Sequence, residues 1–283
     1  MAGESITIDV AVAMLSSMTA AKTKSARTAT ITAIANQKGG VGKSTTTINL
    51  GAALAIQGER VLLVDLDPQG NTSSGLGIDR TTIDTSMYDL LIGDTPLEDI
   101  VEPTSVRDLF LVPATIELAG AEIELVSMFS REMRLANALK AARAEYDVIL
   151  IDCPPSLGLL TVNGLAAADE VMIPIQCEYY ALEGVSQLIR NVKLVQQNLN
   201  PLLEVEGVVL TMFDGRTTLS SDVVEQVREH FGETTYRTVV PRTVRLSEAP
   251  SYGEPIEAFD PMSRGAIAYR ELAREYRRRH GRT

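Results

Sequence analysis

Residues 37–45 read Gln37-Lys38-Gly39-Gly40-Val41-Gly42-Lys43-Ser44-Thr45 and join an apolar run typical of a buried strand to a helical stretch. Glycines in such a turn let backbone amides close around phosphate oxygens, and the N-terminus of the following helix favours negative charge. Lys43 is placed to neutralise β- and γ-phosphates, and the Ser44 hydroxyl to ligate Mg²⁺. The Gly-Lys-Ser order in this context favours a phosphate-binding loop over a turn that merely joins strand to helix.

Lys38 distinguishes this loop from the common phosphate-loop pattern, in which a glycine stands at the position of Gln37. The second lysine lies too early in the loop to do the work of Lys43. An additional cation at that point suits the negative charge that develops during phosphoryl transfer. A loop lysine is also commonly a solvated surface residue, so both interpretations of Lys38 stay open at this point.

Seven apolar runs are predicted as strands, and most are continuous rather than alternating, which is typical of strands buried on both faces. They are residues 30–36, 60–67, 109–113, 146–152, 170–174, 205–212 and 236–240. Helices are predicted between them at 44–57, 181–199 and 220–231, with one or two more within 117–144. This alternation predicts an α/β fold: a doubly wound, mostly parallel sheet with helices on both faces.

No internal repeat or long linker divides the chain, so we predict one domain over residues 29–283. Residues 1–28 are rich in Ala, Ser and Thr, and we interpret them as a flexible tail. Their basic residues follow the short apolar part, which is the reverse of a secretory signal. No apolar run approaches the roughly 18 residues needed to span a bilayer.

Composition limits the classes of partner. The formal net charge is −11, which argues against a surface that binds polyanions everywhere. Seven arginines and two glutamates fall after residue 261, so any contact with DNA must be a local basic patch. The absence of Trp disfavours a stacking platform for single-stranded nucleic acid. Cys153 and Cys177 lack metal-ligand spacing, and we interpret both as packing residues in a reducing cytoplasm.

Three aspartates follow predicted strands. Asp65 and Asp67 end the second strand, and Asp152 ends the strand of residues 146–152. Ligand groups in open α/β sheets lie at the carboxyl ends of the strands. A carboxylate directly after an apolar strand can hold Mg²⁺, directly or through water, as in a Walker B motif. Helix capping is the simpler alternative for Asp65 and Asp67, and it suits Asp65 better.

Several motifs carry a resemblance to a known family. LysGlyGlyValGlyLysSer (38–44) is similar to the deviant Walker A motif of the ParA/MinD class of P-loop NTPases, and residues from about 31 to about 274 resemble the ParA/Soj family. ValAspLeuAspProGlnGlyAsn (64–71) resembles that family's switch I, and AspCysProPro (152–155) its switch II. Residues 176–184, 206–214 and 241–253 are similar as well. Composition alone predicts an irregular loop for 241–253.

The resemblance implies an ATPase that binds ATP and Mg²⁺ and forms a homodimer with the nucleotide between subunits. Lys38 would reach the partner's nucleotide, while Asp67 would orient the attacking water and Asp65 support its loop. Ser44, Asp67 and Asp152 would surround Mg²⁺. The implied nucleotide-binding set is Lys38, Gly39, Gly40, Val41, Gly42, Lys43, Ser44, Thr45, Met212, Pro241 and Arg242, with Phe213 as an alternative to Met212 beside the base.

The same resemblance implies a role in partitioning bacterial chromosomes or plasmids, at the nucleoid. The dimer would bind nonspecific double-stranded DNA, and a ParB-like centromere-binding protein would stimulate hydrolysis. Lys193 and Arg216 match the family's basic positions, and Arg190 lies one turn from Lys193. Lysine, unlike the arginine of some relatives, does not contact a phosphate bidentately. Taken singly, each of these residues could equally be an ordinary surface cation in contact with solvent, which is the more common case.

Residues 265–279 are predicted as a basic helix with Ile267, Leu272 and Tyr276 as its sparse apolar face. A MinD-like membrane ATPase would need a stronger apolar stripe there, so we expect the helix to dock on the domain with its arginines facing DNA or solvent. An amidoligase or iron-protein-like reductase would need substrate or cluster residues, and a transcriptional regulator a helix-turn-helix. The sequence contains no clear signal for any of these.

Overall fold

The computed structural model describes residues 28–178 and 183–282, with the side chains of 183 and 184 excepted. The tail predicted for residues 1–28 therefore lies outside the described residues, apart from Thr28. Within the described part, eight strands form one sheet: β1 (Thr30–Ile34), β2 (Val61–Asp65), β3 (Glu102–Pro103), β4 (Leu109–Val112), β5 (Val148–Asp152), β6 (Glu170–Gln176), β7 (Glu204–Phe213) and β8 (Thr235–Pro241).

The strand order is β3-β4-β2-β5-β1-β6-β7-β8, and every pairing is parallel except that of β3 with β4. All seven predicted strands are confirmed. The central strands β2 and β5 are buried along their whole length, as their continuous apolar runs predict. The sequence reasoning missed β3, a two-residue strand at the sheet edge that includes Pro103.

Helices cover both faces of the sheet, which confirms the doubly wound α/β fold. They are α1 (Lys43–Ile56), α2 (Asn71–Gly75), α3 (Met87–Ile92), α4 (Leu118–Glu124), α5 (Arg134–Ala142), α6 (Leu159–Ala167), α7 (Glu183–Asn198), α8 (Thr218–Phe231), α9 (Val244–Glu248), α10 (Ile256–Phe259) and α11 (Arg264–Arg279). One core cluster packs α3 to α8 on one face, and the other packs α1 and α9 to α11 on the opposite face. The stretch 117–144 contains two helices rather than one.

The segment 241–253 is not the irregular loop that composition predicted. It contains α9 and a 3-10 turn over Ala249–Tyr252. The Thr243 side chain accepts a hydrogen bond from the Leu246 amide at 3.2 Å and thereby caps α9. The prediction was wrong because turn-forming residues also begin short helices.

The C-terminal helix α11 docks on the domain, as expected, and two of the three predicted apolar residues lie in the packed face. Leu272 and Tyr276 are fully buried, together with Tyr269. Ile267, predicted on the apolar face, is 47% exposed because it lies on the opposite side of the helix. The Ser263 side chain caps the helix by accepting from the Ala266 amide at 3.1 Å. The packed face therefore combines aromatic residues with alanines and a leucine.

Candidate nucleotide site

The glycine-rich loop leads from the carboxyl end of β1 into α1. Gly40 and Gly42 have φ angles of 74° and 88°, a left-handed conformation that favours glycine. Side chains of Thr or Ser cap α8, α9 and α11, whereas the N-cap residue of α1 is Gly42, which has no side chain for this purpose. The first amides of α1 are thus available to an external acceptor, and the helix dipole favours an anion there.

Lys43, the first residue of α1, is only 7% exposed. Burial lowers the pKa of its ammonium, and the nearby carboxylates Asp152 and Asp67 partly oppose that shift. The Nζ atom lies 3.5 Å from the carbonyl oxygen of Lys38. Lys43 is therefore a desolvated cation with one long bond to the loop, which favours interaction with phosphate oxygens.

Lys38 lies in the same loop and is half-buried. Its amide donates to Asn36 Oδ1 at 3.0 Å, and Asn36 Nδ2 donates to the Pro174 carbonyl at 2.7 Å, which ties the loop to β6. Its ammonium has no hydrogen bond or ion pair with any residue of 28–178 or 183–282. The neighbouring Gly39 and Gly40 are exposed, so this side of the loop faces open surface.

Residues from β7 and β8 meet beside the loop. The Thr211 hydroxyl donates to the Val41 carbonyl at 2.8 Å, which fastens the phosphate loop to β7. Phe213 pairs with Pro241 in the sheet, and the Arg242 amide donates to the Phe213 carbonyl at 2.9 Å. The structure thus brings together the sequence-predicted residues Met212, Phe213, Pro241 and Arg242.

Asp65 and Asp152 face each other across the pairing of β2 with β5. The Asp65 carboxylate accepts from both the amide and the hydroxyl of Ser73, at 2.8 and 2.6 Å, so it holds the first turn of α2 to the end of β2. Complete burial, with the charge of Asp152 close by, raises the pKa of Asp65 to about 8. Burial also raises the pKa of Asp152 to about 6, although the nearby hydroxyls of Ser44 and Thr72 oppose this shift.

Asp67 is 7% exposed and lies near both Lys43 and Asp152, whose pKa values it raises. Its Oδ1 atom accepts from the Gln69 amide at 2.9 Å. Its backbone carbonyl accepts from the Gly70 amide at 2.8 Å. These bonds form a tight turn, so the carboxylate is held in place beside the phosphate loop.

The oxygen donors at this edge fit a magnesium ion. The Oδ1 atom of Asp152 is buried and lacks a hydrogen-bond partner within the described part of the chain, while the Ser44 hydroxyl lies beside that carboxylate. Among the described residues, no group of three or more His, Cys, Asp or Glu side chains could hold a metal ion. Magnesium needs no such cage, because it commonly binds one or two protein oxygens together with phosphates and water.

Both cysteines are free and buried, which agrees with their interpretation as packing residues. The Cys153 sulfur lies so close to Gly164 that a methyl group at that glycine would approach it to 2.9 Å. Burial raises the pKa of the Cys177 thiol to about 12, so the reactive thiolate is disfavoured.

The candidate DNA contacts lie on two separate elements. Arg190 and Lys193 are on α7, the first exposed and the second half-buried. Arg216 follows β7, and its side chain is 88% exposed. It makes a bidentate pair with Asp214, with Nε and Nη2 at 2.9 and 2.7 Å from the two carboxylate oxygens. Asp214 therefore neutralises much of the charge that Arg216 would offer to a phosphate.

Three C-terminal arginines bond to the protein itself rather than facing DNA or solvent, contrary to the sequence-based expectation. Arg277 and Arg282 donate to the two carboxylate oxygens of Glu59, at 3.0 and 2.8 Å. Arg279 lies over the Tyr236 ring, 3.9 Å from its centre. The sequence did not reveal these partners because they are more than 40 residues away along the chain.

A glycine-rich turn with Gly-Lys-Ser between a buried strand and a helix, at the carboxyl edge of a parallel sheet, defines a P-loop nucleotide-binding protein. A family model described as an AAA domain matches residues 29–205. The chain is 60% identical over 245 residues to the sporulation initiation inhibitor protein Soj of Bacillus subtilis, covering 87% of this chain and 97% of that protein. It is 55% identical over 249 residues to the chromosome partitioning protein ParA of Myxococcus xanthus, covering 88% of each. The chain belongs to the ParA/Soj family of partitioning ATPases.

A solved structure is also similar. Cobyrinic acid a,c-diamide synthase from Mycobacterium smegmatis, with bound ADP and magnesium, is 42% identical with a TM-score of 0.78, covering 90% of this chain and 97% of that one. In the part of the chain that the structure describes, no helix is both long and apolar enough to cross a membrane.

Proposed function

We propose that this chain is a Mg²⁺-dependent ATPase that dimerises around ATP, binds nonspecific double-stranded DNA as a dimer, and releases it after hydrolysis stimulated by a ParB-like partner. The observation that carries the proposal is the ammonium of Lys38. Lys38 is half-buried, and its ammonium lacks a hydrogen-bond or ion-pair partner among the described residues. The buried Lys43 is already placed to bind the phosphates of its own subunit's nucleotide, so Lys38 is available for another role.

Each residue of the loop then has a separate task. Lys43 exchanges its long bond to the Lys38 carbonyl for the β- and γ-phosphates, and the amides of 39–45 and the uncapped start of α1 surround the phosphate oxygens. Lys38 serves the nucleotide of the partner subunit. Because a free cation at an interface is costly to bury, the negative triphosphate of a second copy is its natural counterpart.

The carboxylates act at the other side of the phosphates. Ser44 and Asp152 Oδ1, which has no hydrogen-bond partner among the described residues, would hold Mg²⁺, directly or through water. The bound ion would neutralise negative charge on the phosphates during phosphoryl transfer. Asp67, held by the Gln69 amide, would orient the attacking water and complete the residues that surround the ion. Met212, Pro241 and Arg242 would border the base. The ADP and magnesium bound in the Mycobacterium smegmatis structure support the choice of a nucleotide and magnesium as ligands.

DNA binding follows from pairing two weak patches. One subunit offers Arg190, Lys193 and Arg216 on an acidic body of net charge −11, so a monomer binds weakly. Two subunits joined by ATP present both patches to one duplex, and the second contact becomes intramolecular. ATP hydrolysis therefore ends DNA binding by separating the subunits, which fits a protein that acts at the nucleoid in the cytoplasm.

Two other functions are less well supported. A MinD-like membrane ATPase would insert an apolar helix face into lipid, but the apolar face of α11 is packed in the core. The name of the Mycobacterium smegmatis structure favours an amide-forming synthase as a second candidate. The higher identity to Soj and ParA supports partitioning instead. Stimulation of ATP turnover by DNA and a ParB-like protein, rather than by a carboxylic acid with an amine donor, distinguishes the two.

The test is a DNA-binding titration across salt concentrations with ATP, with ADP and without nucleotide, using duplexes of unrelated sequence. Binding is expected only with ATP, equally for each duplex, and it should weaken steeply with salt because the contacts are to phosphates. Liposome sedimentation under the same conditions should show no retention. Binding that is independent of nucleotide, or restricted to one duplex sequence, would contradict the proposal.

A further inference from the structure

Two consecutive residues of α2 bond to the two strand-end carboxylates. The Thr72 hydroxyl donates to Asp152 Oδ2 at 2.7 Å, and the Ser73 hydroxyl donates to Asp65 Oδ2 at 2.6 Å. Both side chains are completely buried, so water does not compete for these bonds. The short helix α2 is therefore anchored to the ends of both β2 and β5.

The bond from Thr72 makes the two oxygens of Asp152 different. Oδ2 has a strong donor, whereas Oδ1 is buried and unpaired among the described residues. A hydroxyl that holds one oxygen also restricts rotation of the carboxylate, so the lone pairs of the other oxygen keep a fixed direction. That oxygen lies on a carboxylate beside Ser44, at the edge where the phosphate loop begins.

Thr72 also joins two parts of the candidate site that are far apart in sequence. It follows the tight turn that fixes Asp67, in which the Gln69 and Gly70 amides bond to that residue. Through Thr72 this turn is bonded directly to the end of β5. A displacement of the Asp67 segment would therefore change the orientation of Asp152.

We infer that Thr72 is a positioning residue for magnesium: its hydroxyl holds Asp152 Oδ2 so that Oδ1 faces the ion, and it couples that orientation to the Asp67 turn. This inference rests on the magnesium–nucleotide binding proposed above. Partners of metal-ligating carboxylates commonly change metal affinity by about 10- to 100-fold when they are removed. Thr72 touches no reacting atom, so its effect should appear as a change in the magnesium requirement.

The experiment measures the binding of a fluorescent ADP analogue while MgCl₂ is titrated at fixed nucleotide concentration. Thr72→Val removes the hydroxyl and should raise the midpoint magnesium concentration by about tenfold or more. Thr72→Ser keeps the hydroxyl and should stay within about twofold of the wild type. Thr72→Ala serves as a second variant without the hydroxyl, and thermal unfolding identifies any variant that is not folded.

Thr32→Val is the matched control, because Thr32 is another buried threonine whose hydroxyl donates to a buried carboxylate, Glu170, at 2.8 Å. Its midpoint should equal that of the wild type. If Thr72→Val and Thr72→Ala both had the wild-type midpoint magnesium concentration, the role inferred for Thr72 would be overturned, while the proposed metal site would stand. If nucleotide binding by the wild type did not respond to magnesium at all, the proposed metal site would be refuted and the inference with it.

Discussion

The Lys43 ammonium lies 3.5 Å from the carbonyl oxygen of Lys38, so the two lysines of the phosphate loop contact each other through the backbone of one and the side chain of the other. This geometry separates their roles. The buried Lys43 points inward and uses a weak backbone acceptor that a phosphate can replace. Lys38 is followed by the exposed Gly39 and Gly40, so a second subunit can approach this part of the loop.

Lys43→Ala should weaken nucleotide binding by roughly 10- to 100-fold, since a hydrogen bond to a charged group contributes about 1.5–3 kcal/mol. Isothermal titration with ADP and Mg²⁺ measures the effect. Lys140→Ala removes an exposed lysine whose ammonium donates to Asn137 within α5, and this variant should bind nucleotide as the wild type does. Equal affinity in Lys43→Ala and the wild type would refute the assignment of the loop.

Gly39→Val should leave nucleotide binding intact but prevent the ATP-dependent dimer. A Cβ atom at Gly39 would have no heavy atom within 4 Å, so the monomer accommodates the larger side chain. In a face-to-face dimer the same side chain would fill the interface. Light scattering with ATP should show monomers for Gly39→Val and an intermediate dimer fraction for the smaller Gly39→Ala. A normal dimer in Gly39→Val would show that this face is not the interface.

Asp214→Asn should strengthen ATP-dependent DNA binding, because it releases Arg216 from its bidentate ion pair. Arg216→Ala should weaken binding to all duplexes and reduce the salt slope by about one per lost phosphate contact. Glu229→Gln makes the same charge change on an exposed residue of α8 and controls for net charge. If Glu229→Gln strengthened DNA binding as much as Asp214→Asn, the gain would come from the change in net charge and not from the release of Arg216.

Glu206→Gln should stabilise the protein at alkaline but not at acid pH. Burial, together with the charge of Glu170, raises the pKa of Glu206 to about 7, although His280, Arg279 and a bond from the Tyr236 hydroxyl oppose the shift. The unfolded chain loses this proton near its ordinary pKa of 4.5, so the wild type is destabilised progressively from about that pH up to about 7.

The two proteins should have similar free energies of unfolding near pH 4.5. At pH 8 the glutamine variant should be more stable by up to about 3 kcal/mol, at 1.36 kcal/mol per pKa unit. Urea denaturation at both pH values measures the difference. A stability difference that does not change with pH would show that Glu206 titrates alike in the folded and unfolded chain.

The buried strands and the phosphate loop were predictable because their signals are local. Continuous apolar runs identify β2 and β5, and Gly40 and Gly42 stand where the chain needs positive φ angles. The pairing of Asp65 with Asp152 was not predictable, because it depends on which strands become neighbours. The bond from Thr72 to Asp152 was not predictable either, because the two residues are 80 positions apart in the sequence.

The C-terminal helix shows a second limit of sequence reasoning. Its charge suggested an exposed, DNA-facing surface, yet Arg277, Arg279 and Arg282 bond to Glu59, Tyr236 and neighbouring groups. Charge density along a sequence does not reveal whether partners exist on the adjoining elements. By contrast, the docking of the helix was predictable, since its apolar residues were too few to insert into lipid.

The central claim is that Lys38 acts on the nucleotide of the partner subunit, and mixing two inactive variants tests it directly. Lys38→Ala and Asp67→Ala should each hydrolyse ATP very slowly alone. In an equal mixture, the Lys38→Ala subunit of a mixed dimer keeps its own Asp67 and receives Lys38 from its partner. Turnover should then recover to roughly a quarter of the wild-type rate, since half the dimers are mixed and each has one complete site. No recovery, despite mixed dimers seen by light scattering or crosslinking, would place Lys38 at its own subunit's nucleotide and contradict the account.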